Sequence, residues 1–455
     1  MFVPSTRLIW LAGIVGIPLM FGLGFSGLDG MTLALAGAVV LLILMVDGMR
    51  SLSLLSQVSV ELPETVHTTK SKTFNLEAIV SGLNNKTSCL RLGLPFPRAL
   101  EAAEEIVQMS AVKKPNSGRA SWKVTSLDRG HHEFDVVYAE VRSYWHLWDI
   151  RRAIPVKCEV RVYPDLSREK HVLAPLFFRR GAMGTHQVRQ LGKGREFEQL
   201  RAYLPGDSYD DVYWKGTAKR RFPVTMMYQV EKTQELHVIV DISRRSGRPL
   251  EASSRGVDAA YERFLPRTQC ERFIQAALVL ALAAEQQSDR FGLTVFSDQV
   301  HTLLPAGSGK AHYTACRDTL YSLEPRPVSP DFNELFIHIG NRLRHRALIV
   351  VLTDLGEPWL SESFASAIGN TARRHVMLVH TLGSREFQPL FASNSTIQHA
   401  DDLYAKIAGH LMWSDLQGTS HQLKQAGVHL TSSVQESLIA DVVTSYLNTK
   451  RRQLV

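Results

Sequence analysis

The sequence predicts an α/β domain with a mostly parallel, helix-covered sheet, preceded by an all-β sandwich and a pair of N-terminal transmembrane helices. Three observations carry this expectation. Two uncharged runs, residues 8–25 and 31–46, open the chain. Short extended pieces with period-two alternation follow to about residue 165. After residue 235, unbroken Val, Ile and Leu runs alternate with helical patterns, as strands buried on both faces do. The boundaries drawn from these shifts are 1–51, 52–165, 166–235 and 236–455.

The chain has 455 residues, enough to fill more than one core. Its first apolar runs, "LIWLAGIVGIPLMFGLGF" and "MTLALAGAVVLLILMV", rise about 1.5 Å per helical residue and are expected barely to cross a hydrocarbon layer of roughly 30 Å, with their flanks helping. Only "SGLDG" joins them, which forces an antiparallel hairpin with Arg7 and Arg50 on one side and Asp29 in the turn. By the positive-inside tendency both termini and the remaining domains then lie in the cytoplasm at the inner membrane, with the lipid bilayer as one partner. A cleaved signal peptide with Arg7 as its basic region is the competing reading; a second apolar run directly afterwards weighs against it.

The stretches "QVSVELP", "TFNLEAIV", "CLRLGLPF", "HEFDVVYAEVRS" and "VKCEVRVYP" read as strands of an antiparallel, immunoglobulin-like sandwich. A helical interruption is expected at "ALEAAEEIVQM", followed by a polar loop, "KKPNSGRAS". Residues 166–235 are basic and Gly-punctuated, a long connection of the kind that carries function. Beyond them "LHVIVDIS", "FGLTVFS", "VHTLLP", "RALIVVLTDL" and "HVMLVHTL" alternate with helical segments, a Rossmann-type order.

Composition narrows the function. The net charge of +8 is scattered among acidic residues and forms no aromatic-laced basic stripe, so a nucleic-acid surface is not expected. Four cysteines without C-x-x-C spacing read as reduced, mostly buried thiols. "AGSGKAH" lacks the spacing and the hydroxyl residue of a phosphate loop, and Cys270 has no recognisable base nearby in sequence.

The segment "GREFEQLRAYLPGDSYDDVYWKGTAKRRFPVTMMYQVEK" resembles the signature of the domain-of-unknown-function fifty-eight family. The matching positions are Gly194, Glu196, Phe197, Arg201, Tyr203, Gly206, Asp207, Trp214 and Lys215. The resemblance implies a von Willebrand factor A-like fold for residues 236–455. It also implies a membrane-anchored adaptor, not an enzyme, that partners a MoxR-type AAA+ ATPase in assembly or maturation of protein complexes. Within the segment, Trp214 and Tyr203 are expected to pin the connection to the sheet, with Arg201 paired to Asp207 or Glu196. Arg201, Tyr203, Asp207, Trp214 and Lys215 together are the expected partner-binding set, because aromatic and Arg residues concentrate binding energy.

A second site is expected where strands end. "VIVDIS" and "IVVLTDL" place Asp241, Ser243, Thr353 and Asp354 at the carboxyl edge of the sheet, where ligands gather in α/β folds. Magnesium prefers such oxygen ligands, so Asp241, Ser243 and Asp354 are the candidate metal set. The von Willebrand A resemblance adds a partner's acidic side chain as a further ligand. The alternative function is a membrane-bound metal-dependent hydrolase or transferase using Asp241 and Asp354. Arg245 departs from the pattern: it stands where Asp-x-Ser-x-Ser has its second serine, cannot ligate a cation and repels one. The expectation is therefore that the strand-end geometry survives and full coordination does not, with Arg245 paired to Asp241 or Asp354. Ser246 is the substitute hydroxyl, Ser308 or Thr314 supplies the third, and the rim stays open to a docking partner.

Overall fold

The computed structural model describes residues 1–17, 30–83, 89–110, 116–167, 169, 191–192, 196–205, 208–229, 234–250, 264–383, 389–390 and 400–452. Contacts divide the chain into two compact units, Met1–Asp165 with Ser253–Leu265, and Leu166–Ala252 with Pro266–Val455.

In the first unit, β1 (Phe2–Pro4), β3 (Thr65–Thr69), β5 (Cys89–Gly93), β7 (Ile106–Ser110), β9 (Gly130–Arg142) and β10 (Trp148–Tyr163) form one sheet. The strands β2 (Ser59–Glu61), β4 (Thr73–Leu83), β6 (Leu100–Ala102) and β8 (Asn116–Ser126) form another, in the order β2-β4-β8-β6. Period-two alternation turns Leu76, Ala78 and Val80 of β4 and Ala120, Trp122 and Val124 of β8 into a core shared with Val137, Ala139, Val160 and Val162. The alternation of β9 slips by one residue between Phe134 and Val137, where its register with β10 shifts, as a bulge requires. The helix expected at "ALEAAEEIVQM" is instead β6 and β7. Pairing with β8 and β5 overrides the helix preference of its Ala and Glu residues.

At the N-terminus, Ser5 accepts a hydrogen bond from Leu8 N at 3.3 Å and caps helix Thr6–Leu11. A second helix spans Gly30–Ser51. The expected transmembrane hairpin is corrected: among the described residues no helix is long and apolar enough to cross a membrane. The uncharged part of the second helix, residues 30–46, reaches only about 26 Å, short of the roughly 30 Å needed. Its last turns are also committed to protein. Asp47 is buried and accepts from Ser143 Oγ at 2.6 Å and Trp145 N at 3.1 Å, while Trp148 Nε1 donates to Leu44 O at 3.1 Å. Much of the first expected span and its turn lie outside the described residues.

The second unit begins with a small antiparallel sheet of β11 (Leu191–Gly192), β12 (Glu196–Ala202) and β13 (Val224–Gln229), in a segment the sequence presents as irregular. A six-stranded sheet follows, made of β14 (Glu235–Asp241), β15 (Arg290–Phe296), β16 (Val300–Gly307), β17 (Leu348–Leu352), β18 (Val376–Leu382) and β19 (Val428–Ser433), in the order β16-β15-β14-β17-β18-β19. One face places Leu236, Val238, Val240, Val350 and Leu352 against helices Gln269–Gln286 and Leu438–Arg451. The other places Ile239, Ile349, Val351 and Val379 against Phe332–Arg342 and Pro358–Ala367. Thr268 Oγ1 caps the first of these helices by accepting from Glu271 N, and Asp331 caps Phe332–Arg342 by accepting from Asn333 N and Glu334 N.

The expected fold class, a mostly parallel Rossmann-type sheet of von Willebrand A kind, is corrected for the protein as a whole. Among the described residues, three of the four sheets are antiparallel in all or most of their pairings, and parallel ladders dominate the last. Even there β16 runs antiparallel to β15. Only Ser297, Asp298 and Gln299 separate the two strands, too few for the crossover that a parallel pair needs.

Two predictions follow from this core. The fully buried Phe364 ring meets Phe332 edge-on at 5.0 Å and Phe336 at 5.4 Å, so Phe364→Ala is expected to cost about 3–5 kcal/mol, measured by urea unfolding. Burial also holds His237 and His380 down to about 4, whereas an unfolded histidine titrates near 6.5. Their depressed values contribute stability that is complete above about pH 6.5 and lost as pH falls toward 4. The unfolding midpoint is expected to fall across that window and to fall less steeply in His380→Phe.

Candidate functional site

Parallel register brings the strand ends together. Val240 of β14 is paired with Leu352 of β17, so the residues that follow, Asp241 and Thr353, emerge side by side. Thr353 Oγ1 donates to Asp241 Oδ2 at 2.6 Å, and Ser243 N donates to Asp241 Oδ1 at 2.7 Å. Burial pushes the Asp241 carboxyl above its ordinary range, against the pull of these hydrogen bonds, and the neighbouring Asp354 pushes the same way. The Ser243 hydroxyl is fully buried beside it, without a well-aligned hydrogen bond among the described residues.

Asp354 is held differently. Its Oδ2 lies 3.1 Å from Arg245 Nη2, with the two side chains only 3% and 7% exposed, and its Oδ1 accepts from Gly356 N at 2.8 Å. Arg245 reaches this position because a tight turn, Arg244–Gly247, follows Ser243 and points the side chain inward. Its other terminal nitrogen, Nη1, donates to Glu357 Oε1. Glu357 precedes Pro358 at the start of the next helix, and its second oxygen accepts from Trp359 Nε1 at 2.6 Å. A β-carbon at Gly356 would stand 3.0 Å from Asp354 Oδ1 and 3.2 Å from Arg245 Nη2; the missing side chain is what lets the loop close over the pair.

Of the residues expected to hold magnesium, Asp241 and Asp354 do converge at one rim, with Ser243 beside Asp241. They do not fit a divalent cation. A guanidinium already supplies the positive charge at Asp354, and Asp241 is consumed by a hydroxyl and a backbone amide. Among the described residues no group of three or more His, Cys, Asp and Glu could hold a metal ion. The rim expected to be open to a partner's acidic side chain is closed at its centre, since both acids are buried. Arg245 pairs with Asp354, one of its two expected partners, and with Glu357. Ser246 is buried and donates to Ser243 O at 2.7 Å. Ser308 and Thr314 follow β16, whose last residue, Gly307, pairs with Phe291 at the start of β15. That is the opposite end of the sheet, so neither can reach Asp241.

Sequence reasoning missed Glu357, although an acid between a strand end and "PW" marks a helix start. It also missed the cluster after β15, where Ser297 Oγ lies 2.6 Å from both His301 Nε2 and Asp298 Oδ1. Desolvation and Arg326 lower the His301 imidazole, with Asp298 opposing, while the bond from Ser297 lowers the Asp298 carboxyl.

The signature segment forms a second candidate surface. Arg201, next to the last residue of β12, pairs with Thr225. Tyr203 N donates to Pro223 O and Tyr213 N to Val224 O, which gathers residues 203–204, 213–214 and 222–224 at one end of the small sheet. The Tyr203 and Tyr209 rings lie 6.1 Å apart. Trp214 does not pin the segment to a sheet, as the sequence suggests: it begins helix Trp214–Arg220 and is 65% exposed. Val212, buried, does the anchoring, with Tyr213 packed against Gly216. Leu204, Tyr209 and Phe222 are exposed as well, as are Lys215, Lys219, Arg220 and Arg221. Asp207, expected in this set and as a partner of Arg201, lies outside the described residues.

The model of a family described as "Protein of unknown function DUF58" matches residues 199–389, a stretch that holds the exposed helix and both strand-end acids. No curated protein matches the chain. Among solved structures, the conserved hypothetical protein BatB from Bacteroides thetaiotaomicron is similar at 14% identity over 48% of this chain and 99% of that one, with a TM-score of 0.28. An aerotolerance-related membrane protein from Bacteroides fragilis is similar at 15% identity over 47% and 99%, with a TM-score of 0.27. At these scores neither likeness bears on function.

Removing the guanidinium takes the ion-pair partner from Glu357 and leaves the buried Asp354 with only the exposed Arg248, 3.9 Å away. Arg245→Ala is therefore expected to destabilise the protein by about 3–5 kcal/mol, read from urea unfolding. The wild-type melting temperature is expected to be the same in excess magnesium and in chelator. A rise with magnesium would show that a cation competes with Arg245.

Proposed function

We propose that the protein is a docking module, an adaptor that binds another protein through the exposed end of its small three-stranded sheet. The observation that supports this reading is the display of Trp214, Tyr209, Leu204 and Phe222 on a short motif beside four exposed basic side chains. Folding gains nothing from exposed aromatics, whereas Trp, Tyr and Arg dominate the energetics of interfaces. A partner face that carries apolar pockets ringed by acidic groups fits this surface. The family resemblance implies a MoxR-type AAA+ ATPase as that partner and assembly or maturation of protein complexes as the setting. The alternative of a metal-dependent hydrolase or transferase loses its footing where Arg245 fills the charge between Asp354 and Glu357.

The test is capture of a MoxR-type ATPase from the same organism by the full chain. Trp214→Ala and Tyr209→Ala are each expected to weaken capture about tenfold or more, a loss near 1.4 kcal/mol. Because both side chains are exposed, their unfolding midpoints should match the wild type. Capture by both variants as strong as by the wild-type protein would overturn the reading.

A further inference from the structure

The rim around β14 carries more positive charge than its buried acids use. Arg245 is spent on Asp354 and Glu357, but Arg244, Arg248 and Arg326 are exposed. Backbone bonds hold the three together: Arg326 N donates to Ile242 O at 2.7 Å, Arg244 N to Val328 O at 2.9 Å, and Arg248 N to Arg245 O at 3.0 Å. Arg244 makes no ion pair among the described residues. Arg248 Nη1 lies 3.9 Å from Asp354 Oδ2, an oxygen already held by Arg245 at 3.1 Å. Arg326 acts on Asp298 and His301 through its charge, without an ion pair among the described residues. Trp359, exposed and fixed through Glu357, adds an apolar face to the same edge.

We propose that these arginines bind an acidic segment of a partner protein directly, guanidinium to carboxylate, without a metal ion. Each fork can take one carboxylate bidentately. The occupant is a peptide and not a polyphosphate because Asp354, Glu357 and Asp298 lie among the arginines and oppose charge concentrated at one point. Alternate side chains of an extended peptide stand roughly 6.5–7 Å apart and can each meet a separate guanidinium. This surface goes beyond the one built around Trp214 and is tested separately from it.

The experiment titrates the full chain into a fluorescein-labelled peptide of alternating Glu and Ser, followed by fluorescence anisotropy. The combined substitution R244A, R248A and R326A is expected to weaken binding at least tenfold, with an unchanged result in chelator. Arg290→Ala, which removes an arginine from the opposite end of the sheet, should leave binding intact. Should the triple variant lose its thermal transition, the single substitutions R244A and R326A are read instead, each expected to weaken binding about threefold. Equal binding by the arginine variants overturns the proposal, as does a requirement for magnesium. Displacement of the peptide by sodium tripolyphosphate at lower charge-matched concentration than by unlabelled peptide would assign the site to phosphates and also overturn it.

Discussion

The pairing of Arg245 with Asp354 and Glu357 is the constraint on which the strand-end rim depends. An arginine cannot lose its charge inside a protein, and an unpaired buried charge is costly, so the loops that follow β14 and β17 must come together around it. The turn Arg244–Gly247 aims the guanidinium inward, Gly356 leaves room for it, and Glu357 is set at the start of the next helix where Nη1 finds it. What is built is a closed ionic contact in place of an open coordination shell.

That contact sorts two acids that look equivalent in sequence. Asp354 has a full counter-charge. Asp241, one strand away, has only a hydroxyl and an amide to support it, and burial dominates its ionisation. The sheet imposes this difference through register alone, since pairing Val240 with Leu352 leaves Thr353 as the nearest polar group to Asp241. With its centre closed, the rim can address other molecules only through exposed groups at its edge.

The small sheet of β11, β12 and β13 solves a different problem. It is two to seven residues per strand, too little to bury large side chains on both faces. Val212 and Val224 are buried and supply its anchoring, while Tyr209, Trp214 and Phe222 stay outside. The sequence suggests that Trp214 pins the connection to a sheet, because large aromatics are usually at least partly buried. Here the size of the sheet forbids it.

Much of the chain was legible before the fold was seen. Alternation in β4 and β10 set their buried faces, and unbroken apolar runs located β14, β15, β17 and β18, because both patterns are local consequences of which face must leave water; β8 was not among them, since its first residues, from Asn116, read as part of a polar loop. The arrival of Asp241 and Asp354 at one rim was legible for the same reason, as each ends such a run. The sequence could not show that Leu100–Ala102 and Ile106–Ser110 are strands, that the apolar helix Gly30–Ser51 is tied to the sandwich through Asp47, or that Arg245 chooses Asp354 over Asp241. Those outcomes depend on partners distant along the chain, and a hydrogen bond or ion pair between residues a hundred positions apart leaves no periodic trace. Sequence by itself determined which residues seek the interior and where strands end; the tertiary structure alone decided which charges meet there, because that is a matter of register and loop closure.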